Sequence, residues 1–98
     1  MQVVWSSSAV AQLTEIRAFI ELDKPEAALA VARRIVVAAD RLAINPNMGR
    51  PGRVPETREL VIAGTPYILH YKINGERLKI LAIFHSARER PGDEFSRP

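Results

Sequence analysis

The sequence contains no cysteine, so it can form no disulfide, no thiolate metal site and no cysteine nucleophile. Packing alone must stabilise the fold, and we expect a reducing, cytoplasmic environment. Long apolar runs are also missing, because the longest, at 27–32 and 80–84, fall far short of the roughly 20 residues that a membrane span needs. We therefore expect no membrane association, and the polar trio at 6–8 argues against a signal peptide.

Familiar catalytic motifs are absent too. The chain has no HExxH, no GxSxG, no glycine-rich phosphate loop and no carboxylate cluster suited to Mg²⁺. We therefore predict no metal site and no cofactor. Metal-free RNA cleavage stays chemically open, because His, Glu, Arg and Lys can supply both a base and the cations that stabilise a phosphorane.

The charge is modest and unevenly distributed. Of 98 residues, 14 are Lys or Arg and 11 are Asp or Glu, and the whole excess of +3 lies in residues 50–98. This excess predicts a basic surface in the second half of the sequence but does not identify what that surface binds. With 47% hydrophobic and 26% charged residues, the composition is that of a globular protein, and the length predicts a single domain over 1–98.

The residue patterns predict an α+β order of elements. A Val-rich strand at 2–5 leads into a helix of about fifteen residues, and Pro25 opens a second helix over 25–44. We expect these helices to form an antiparallel hairpin. Turn residues fill 45–56, and three strands follow at 58–63, 67–73 and 77–85. The buried stripe of the second helix is predicted to be Ala28, Ala32, Ile35, Ala39 and Leu42.

The last two strands are predicted to form a hairpin around Asn74-Gly75, the pair most favoured in a type I′ turn. That turn would place Tyr71 opposite Leu78, Leu69 opposite Ile80 and Tyr67 opposite Ala82 on one apolar face. Ile73 and Phe84 extend this face, and we expect the helix hairpin to pack against it. The outer face would pair Lys72 with Arg77 and His70 with Lys79, and would also carry Ile68, Leu81, Ile83 and His85. Such a face is either solvated or an interface for protein or nucleic acid.

Several segments carry a family pattern: Trp5, Pro-Glu-Ala-Ala at 25–28, Asn-Pro-Asn-Met-Gly-Arg-Pro-Gly-Arg at 45–53, Thr-Arg-Glu-Leu-Val at 57–61, Pro-Tyr-Ile at 66–68 and Ile-Leu-Ala-Ile-Phe-His at 80–85. Together they resemble the RelE/ParE superfamily of type II toxin–antitoxin toxins across nearly the whole chain, and the Gly-Arg-Pro-Gly-Arg loop followed by Thr-Arg-Glu-Leu is the most specific part. The resemblance implies a strand, an antiparallel helix hairpin and a three-stranded antiparallel meander in one twisted sheet.

The superfamily divides between two activities. RelE-like members cut messenger RNA on the ribosome, and ParE-like members inhibit DNA gyrase without a known hydrolytic residue. This chain has Phe95 where ribonuclease members tend to place a tail tyrosine, and only two sheet lysines. We therefore favour the ParE-like, non-enzymatic activity. The ribonuclease alternative, with ribosome and mRNA as targets, would use His85, Arg58, Glu59 and Arg88; a third alternative is an inert interaction module.

The resemblance also implies a heteromeric complex with a ParD-like antitoxin. An amphipathic antitoxin helix would lie in a groove beside the helix hairpin, and an extended acidic segment would cover the basic sheet face. The loop arginines, Arg50 and Arg53, either bind the target or brace the first turns of the second helix against the sheet. We predict that the target or partner contacts a set of basic and imidazole side chains: Arg50, Arg53, Arg58, His70, Lys72, Arg77, Lys79, Arg88 and Arg90.

Overall fold

The computed structural model describes residues 1–87, which form two helices packed on one mixed sheet. The strands are β1 (Gln2–Trp5), β2 (Arg50–Pro51), β3 (Thr57–Val61), β4 (Tyr67–Asn74) and β5 (Arg77–His85), and the helices are α1 (Ser7–Glu21) and α2 (Pro25–Leu42). The sheet order is β1-β5-β4-β3-β2, with β1 parallel to β5 and the other pairs antiparallel. The predicted α+β fold is confirmed, with the short edge strand β2 as an addition inside the predicted loop. Within the described residues, no helix is both long and apolar enough to cross a membrane.

The helix hairpin forms where the sequence signals place it. Ser6 caps α1 by accepting a hydrogen bond from the Ala9 N–H at 3.0 Å, and Pro25 occupies the first turn of α2. The predicted stripe of α2 is buried at Ala28, Ile35, Ala39 and Leu42, whereas Ala32 is half-buried. α2 ends at Leu42, two residues before the predicted end.

The core lies between the hairpin and the inner face of the sheet. Its largest fully buried side chains come from α2, β4 and β5: Ile35, Leu42, Leu69, Tyr71, Leu78 and Ile80. As predicted, Tyr71 and Leu78 point inward, and Val3 and Trp5 of β1 pack against the same cluster. Each fully buried aliphatic side chain stabilises the fold by roughly 1.5–3 kcal/mol.

The predicted turn between β4 and β5 is wrong in type. Asn74 belongs to the strand and pairs with Arg77, so Gly75 and Glu76 form the two-residue loop. Gly75 has a φ of +63°, and neither of its neighbours has a positive φ. Glycine at the first loop position is typical of a type II′ turn. The register is therefore also wrong, since Tyr71 pairs with Ile80 instead of Leu78. The shift is two residues, so the two sides of the hairpin are unchanged near the turn.

A bulge then changes the sides farther from the turn. Tyr71 pairs with Ile80 but His70 pairs with Ala82, which leaves Leu81 as an extra residue on β5. Beyond it Ile83 pairs with Leu69 and is buried, whereas Ala82 and Phe84 share the outer side with His70 and Ile68. The predictions that Ala82 and Phe84 face the core, and that Ile83 and His85 lie on the outer face, are therefore wrong.

The cause of the bulge is the start of α1. β1 ends at Trp5, so within residues 1–87 the next residues of β5 have no neighbouring strand on that side. The N-cap and a side chain of the helix substitute for it: the Ser6 hydroxyl donates to the Leu81 carbonyl at 3.0 Å, and the Ile83 N–H donates to Gln12 Oε1 at 2.7 Å. Because these bonds satisfy one backbone group on each side of the bulge, an extra residue is tolerated there.

Candidate functional site

The outer face of the sheet carries an ion pair between a buried carboxylate and a half-exposed arginine. Glu59 of β3 is only 3% exposed and accepts a hydrogen bond from Arg50 Nη2 at 3.2 Å. His70 lies beside Glu59 in the register and touches the Phe84 ring edge on, with ring centres 6.3 Å apart. Burial lowers the pKa of His70 below its ordinary value of 6.5, against an opposing effect of the Glu59 charge. His70 is therefore neutral at physiological pH.

Two lysines lie directly opposite one another on the same face. Lys72 pairs with Lys79 in the register, so the predicted pairing of Lys72 with Arg77 is wrong, as is that of His70 with Lys79. Lys79 and Arg77 are exposed. The Glu56 Oε2 atom lies 3.7 Å from Lys72 Nζ. Glu56 has a backbone φ of 67°, in the left-handed region that is rare for a residue with a side chain. The Glu56 carboxylate partly offsets a repulsion that would otherwise destabilise the hairpin.

The loop before β3 is bonded to the sheet by two side chains. The Tyr71 hydroxyl donates to the Pro46 carbonyl at 2.7 Å and accepts from the Gly49 N–H at 2.9 Å, and Arg58 Nη1 donates to the Gly49 carbonyl at 2.7 Å. Burial raises the pKa of Tyr71 above its ordinary value of 10.0, so the hydroxyl keeps its proton. Arg58 therefore braces the loop. Sequence reasoning treated Tyr71 only as a core residue, since no local pattern reveals a bond 25 residues away.

The residues of the ribonuclease alternative do not come together. Arg58 and Glu59 are neighbours on β3, so their side chains point to opposite faces. His85 pairs with Tyr67, and Arg58 pairs with Tyr71, four residues along β4, which is about 13 Å. The His85 Nδ1 accepts from the Ala87 N–H at 3.0 Å, and its ring meets Tyr67 edge on. Arg88 and Arg90 lie outside the described residues.

A groove of about 460 Å³ lies between the two helices, on the hairpin itself. Its lining is mostly apolar with two arginines: Leu13, Thr14, Arg17, Ala32, Arg33, Val36 and Val37. Val36 and Val37 are 39% and 47% exposed, so this surface is incompletely covered. The sequence predicted a groove beside the helix hairpin, and it did not single out Arg17 of α1 or Arg33 of α2 as groove residues. Within residues 1–87 no group of three or more His, Asp or Glu side chains could hold a metal ion.

Known proteins match this chain over most of its length. A family model described as "ParE toxin of type II toxin-antitoxin system, parDE" matches residues 3–90. The candidate toxin Y4kP of Sinorhizobium fredii is 44% identical over 90 residues, covering 92% of this chain and 93% of the relative. Toxin RelE2 of Caulobacter vibrioides is 41% identical over 87 residues, covering 89% and 97%. A solved structure described as a chromosomal ParDE toxin–antitoxin system from P. aeruginosa superposes with a TM-score of 0.80 at 30% identity, covering 87% of this chain and 95% of that one.

Fold and sequence together define the class: a small α+β toxin of a type II toxin–antitoxin system. The helix hairpin packed on a five-stranded sheet is the architecture of this class, and the family model matches residues 3–90 of the sequence. This chain belongs to the ParE toxin family.

Proposed function

We propose that this chain inhibits DNA gyrase in the cytoplasm and is neutralised by direct binding of a ParD-like antitoxin. The observation that carries the proposal is the ParE family match across residues 3–90. The similarity to a solved structure of a ParDE system supports the antitoxin partner. No cofactor enters the proposal.

The geometry of the sheet supports inhibition by binding over RNA cleavage. A general base and the cations that assist it must reach one phosphate at the same time. Arg58 and Glu59 point to opposite faces and His85 lies near the far end of β4. The name of the relative toxin RelE2 nevertheless favours testing ribosome-dependent mRNA cleavage as the second candidate function.

Two purified assays separate these functions. In the first, the chain is added to gyrase with relaxed plasmid and ATP, and supercoiling is measured. In the second it is added to translating ribosomes, and mRNA cleavage is measured. We expect inhibition of supercoiling at concentrations that leave the mRNA intact. Cleaved mRNA together with normal supercoiling would overturn the proposal and establish the ribonuclease activity.

Charge and shape suggest how the antitoxin binds. The hairpin groove is apolar with Arg17 and Arg33 at its lining, so it fits an amphipathic helix whose apolar stripe is bordered by acidic residues. On the outer sheet face, an acidic extended segment would relieve the opposition of Lys72 and Lys79 more fully than Glu56 does. Both contacts follow from charge complementarity.

Charge reversal tests the antitoxin contacts. We expect Arg33→Glu to weaken binding of a ParD-like antitoxin about tenfold and to flatten its salt dependence, as loss of a complementary rim charge does. Lys79→Glu tests the sheet contact in the same titration. The matched control is Lys24→Glu, an exposed lysine in the hairpin turn that does not line the groove. Equal weakening by Lys24→Glu, or none by Arg33→Glu, would remove the groove from the proposal.

A further inference from the structure

Gly49 is fixed to the sheet at both of its backbone groups. Its N–H bonds to the Tyr71 hydroxyl and its carbonyl accepts from Arg58. A Cβ at this position would lie 2.7 Å from Tyr71 Oη and 2.8 Å from the Glu59 carbonyl oxygen, so only glycine fits. Gly49 therefore sits in a defined place on the sheet although the loop around it has little regular structure.

The residues on each side of this glycine are exposed. Met48 is 45% exposed, and the Arg50 side chain is 53% exposed while its guanidinium stays paired with Glu59. The second bond of the Tyr71 hydroxyl, to Pro46, fixes the segment before Met48 as well. Met and Arg are both enriched in protein interfaces, where a few exposed anchors supply most of the binding energy. The loop thus presents one apolar and one cationic side chain from an ordered backbone.

We infer that Met48 and Arg50 are a preorganised contact with the toxin's protein target, and that Tyr71 is the residue that positions them. This inference rests on the proposed function where it takes gyrase as that target. The matching surface is an apolar depression for Met48 bordered by a carboxylate for Arg50. A protein suits this loop better than a nucleic-acid backbone, because Glu59 already offsets the Arg50 charge and Met48 is apolar.

Rigid presentation is what makes this loop an effective contact. Binding through a flexible loop must first order its side chains and backbone, which reduces affinity. The bonds from Tyr71 and Arg58 order the 46–49 backbone before the target arrives. The contact also shares no residue with the hairpin groove, so Met48 and Arg50 can be altered without changing the groove lining.

The direct test is truncation of Met48. We expect Met48→Ala to raise the concentration that half-inhibits gyrase supercoiling about tenfold, and to relieve growth arrest in cells expressing the chain. Leu22→Ala is the matched control, since Leu22 is 88% exposed but lies in the helix hairpin turn. It should inhibit like the unaltered chain.

The positioning role needs a variant that keeps the core. Tyr71→Phe retains the buried ring and removes only the hydroxyl, and we expect inhibition about five- to tenfold weaker, with faster hydrogen exchange at the Gly49 amide. Tyr67→Phe is the control on the same strand, because its hydroxyl has no hydrogen bond within residues 1–87. In the double variant Met48→Ala with Tyr71→Phe, the two losses should not add, since an unpositioned Met48 has little left to lose.

The outcomes distinguish this inference from the proposed function. Full inhibition of gyrase by Met48→Ala and Tyr71→Phe overturns the loop contact and leaves gyrase as the target. Additive losses in the double variant overturn the positioning role of Tyr71. If the chain arrests growth without inhibiting gyrase or cleaving mRNA, and the loop variants relieve that arrest, the contact stands and the target is another protein. If the chain neither inhibits gyrase nor arrests growth, both the loop contact and the proposed toxin function are overturned.

Discussion

The two halves of the β4–β5 hairpin obey different constraints. Near the turn, Tyr71 and Ile73 face Ile80 and Leu78, on the side that apolar alternation predicts, even though the turn and register differ from the prediction. Beyond the bulge at Leu81, the alternation of β5 is reversed and Ile83 points into the core.

The difference shows which forces decide a strand's orientation. In the near half, Tyr71, Leu78 and Ile80 are completely buried, so any register that exposed them would lose several kcal/mol. In the far half, the N-cap residue Ser6 and Gln12 of α1 bond to the backbone of β5, and these bonds set the direction of the strand. The alternation of apolar and polar residues therefore decides which side chains face the core in the near half. In the far half, hydrogen bonds to residues distant in the sequence decide it.

The largest effect should come from truncating the core of the near half. We expect Ile80→Ala to lower the free energy of unfolding by about 3 kcal/mol, since Ile80 is 0% exposed and the cavity cannot refill. Leu81→Ala, at the half-buried bulge residue next to it, should cost about 1 kcal/mol. Urea denaturation of both variants measures the contrast. An equal loss in both would mean that Leu81 belongs to the core and that the bulge is misplaced.

A smaller effect should follow from removing the bond that supports the far half. Gln12→Ala leaves the Ile83 N–H without its acceptor, which should cost about 1–2 kcal/mol and speed hydrogen exchange at that amide. Thr14→Ala is the control on the same helix, where the exposed hydroxyl donates to the Val10 carbonyl one turn earlier. Unchanged exchange at Ile83 in Gln12→Ala would contradict this explanation of the bulge.

Sequence patterns predicted what depends on neighbours along the chain. Ser6 and Pro25 mark the helix starts, and spacing identified Ile35, Ala39 and Leu42 as buried. The bulge escaped prediction because Gln12 and Ile83 are 71 residues apart. The strand β2 escaped because it has only two residues and its sequence, Arg50-Pro51, favours a turn.

The candidate site was predictable in composition and not in arrangement. Charge counting found the basic residues of β4 and β5, but the opposition of Lys72 and Lys79 depends on the register. Arg50 bonds to buried Glu59 of β3 and not to the second helix that it was predicted to brace, while much of its side chain stays exposed. Tyr71 escaped because an aromatic residue in an apolar alternation predicts core packing, and its hydroxyl bonds only in the folded chain.

The turn itself offers a sharper test of the near half. Gly75 has a φ of +63° with open space where a Cβ would stand, so Gly75→Ala should cost about 1 kcal/mol from backbone strain alone. Gly75→Asn should cost less, because asparagine tolerates positive φ better than alanine does. Thermal unfolding of the three proteins compares them. If alanine were tolerated as well as asparagine, the left-handed conformation would not be what constrains this turn.

The smallest effect concerns His70 in the far half and depends on pH. Burial holds the folded pKa of His70 below 6.5, so below that pH the unfolded chain binds more protons than the folded one. The contribution of neutral His70 is therefore complete above pH 6.5 and is lost as the pH falls towards the folded pKa. His70→Gln removes this titration, so urea midpoints between pH 5 and 8 should fall more steeply on acidification for the unaltered chain than for the variant. If the two proteins showed the same pH dependence of stability, burial of His70 would have no effect on its titration. If the unaltered chain became more stable on acidification and the variant did not, the fold would prefer the charged form of His70.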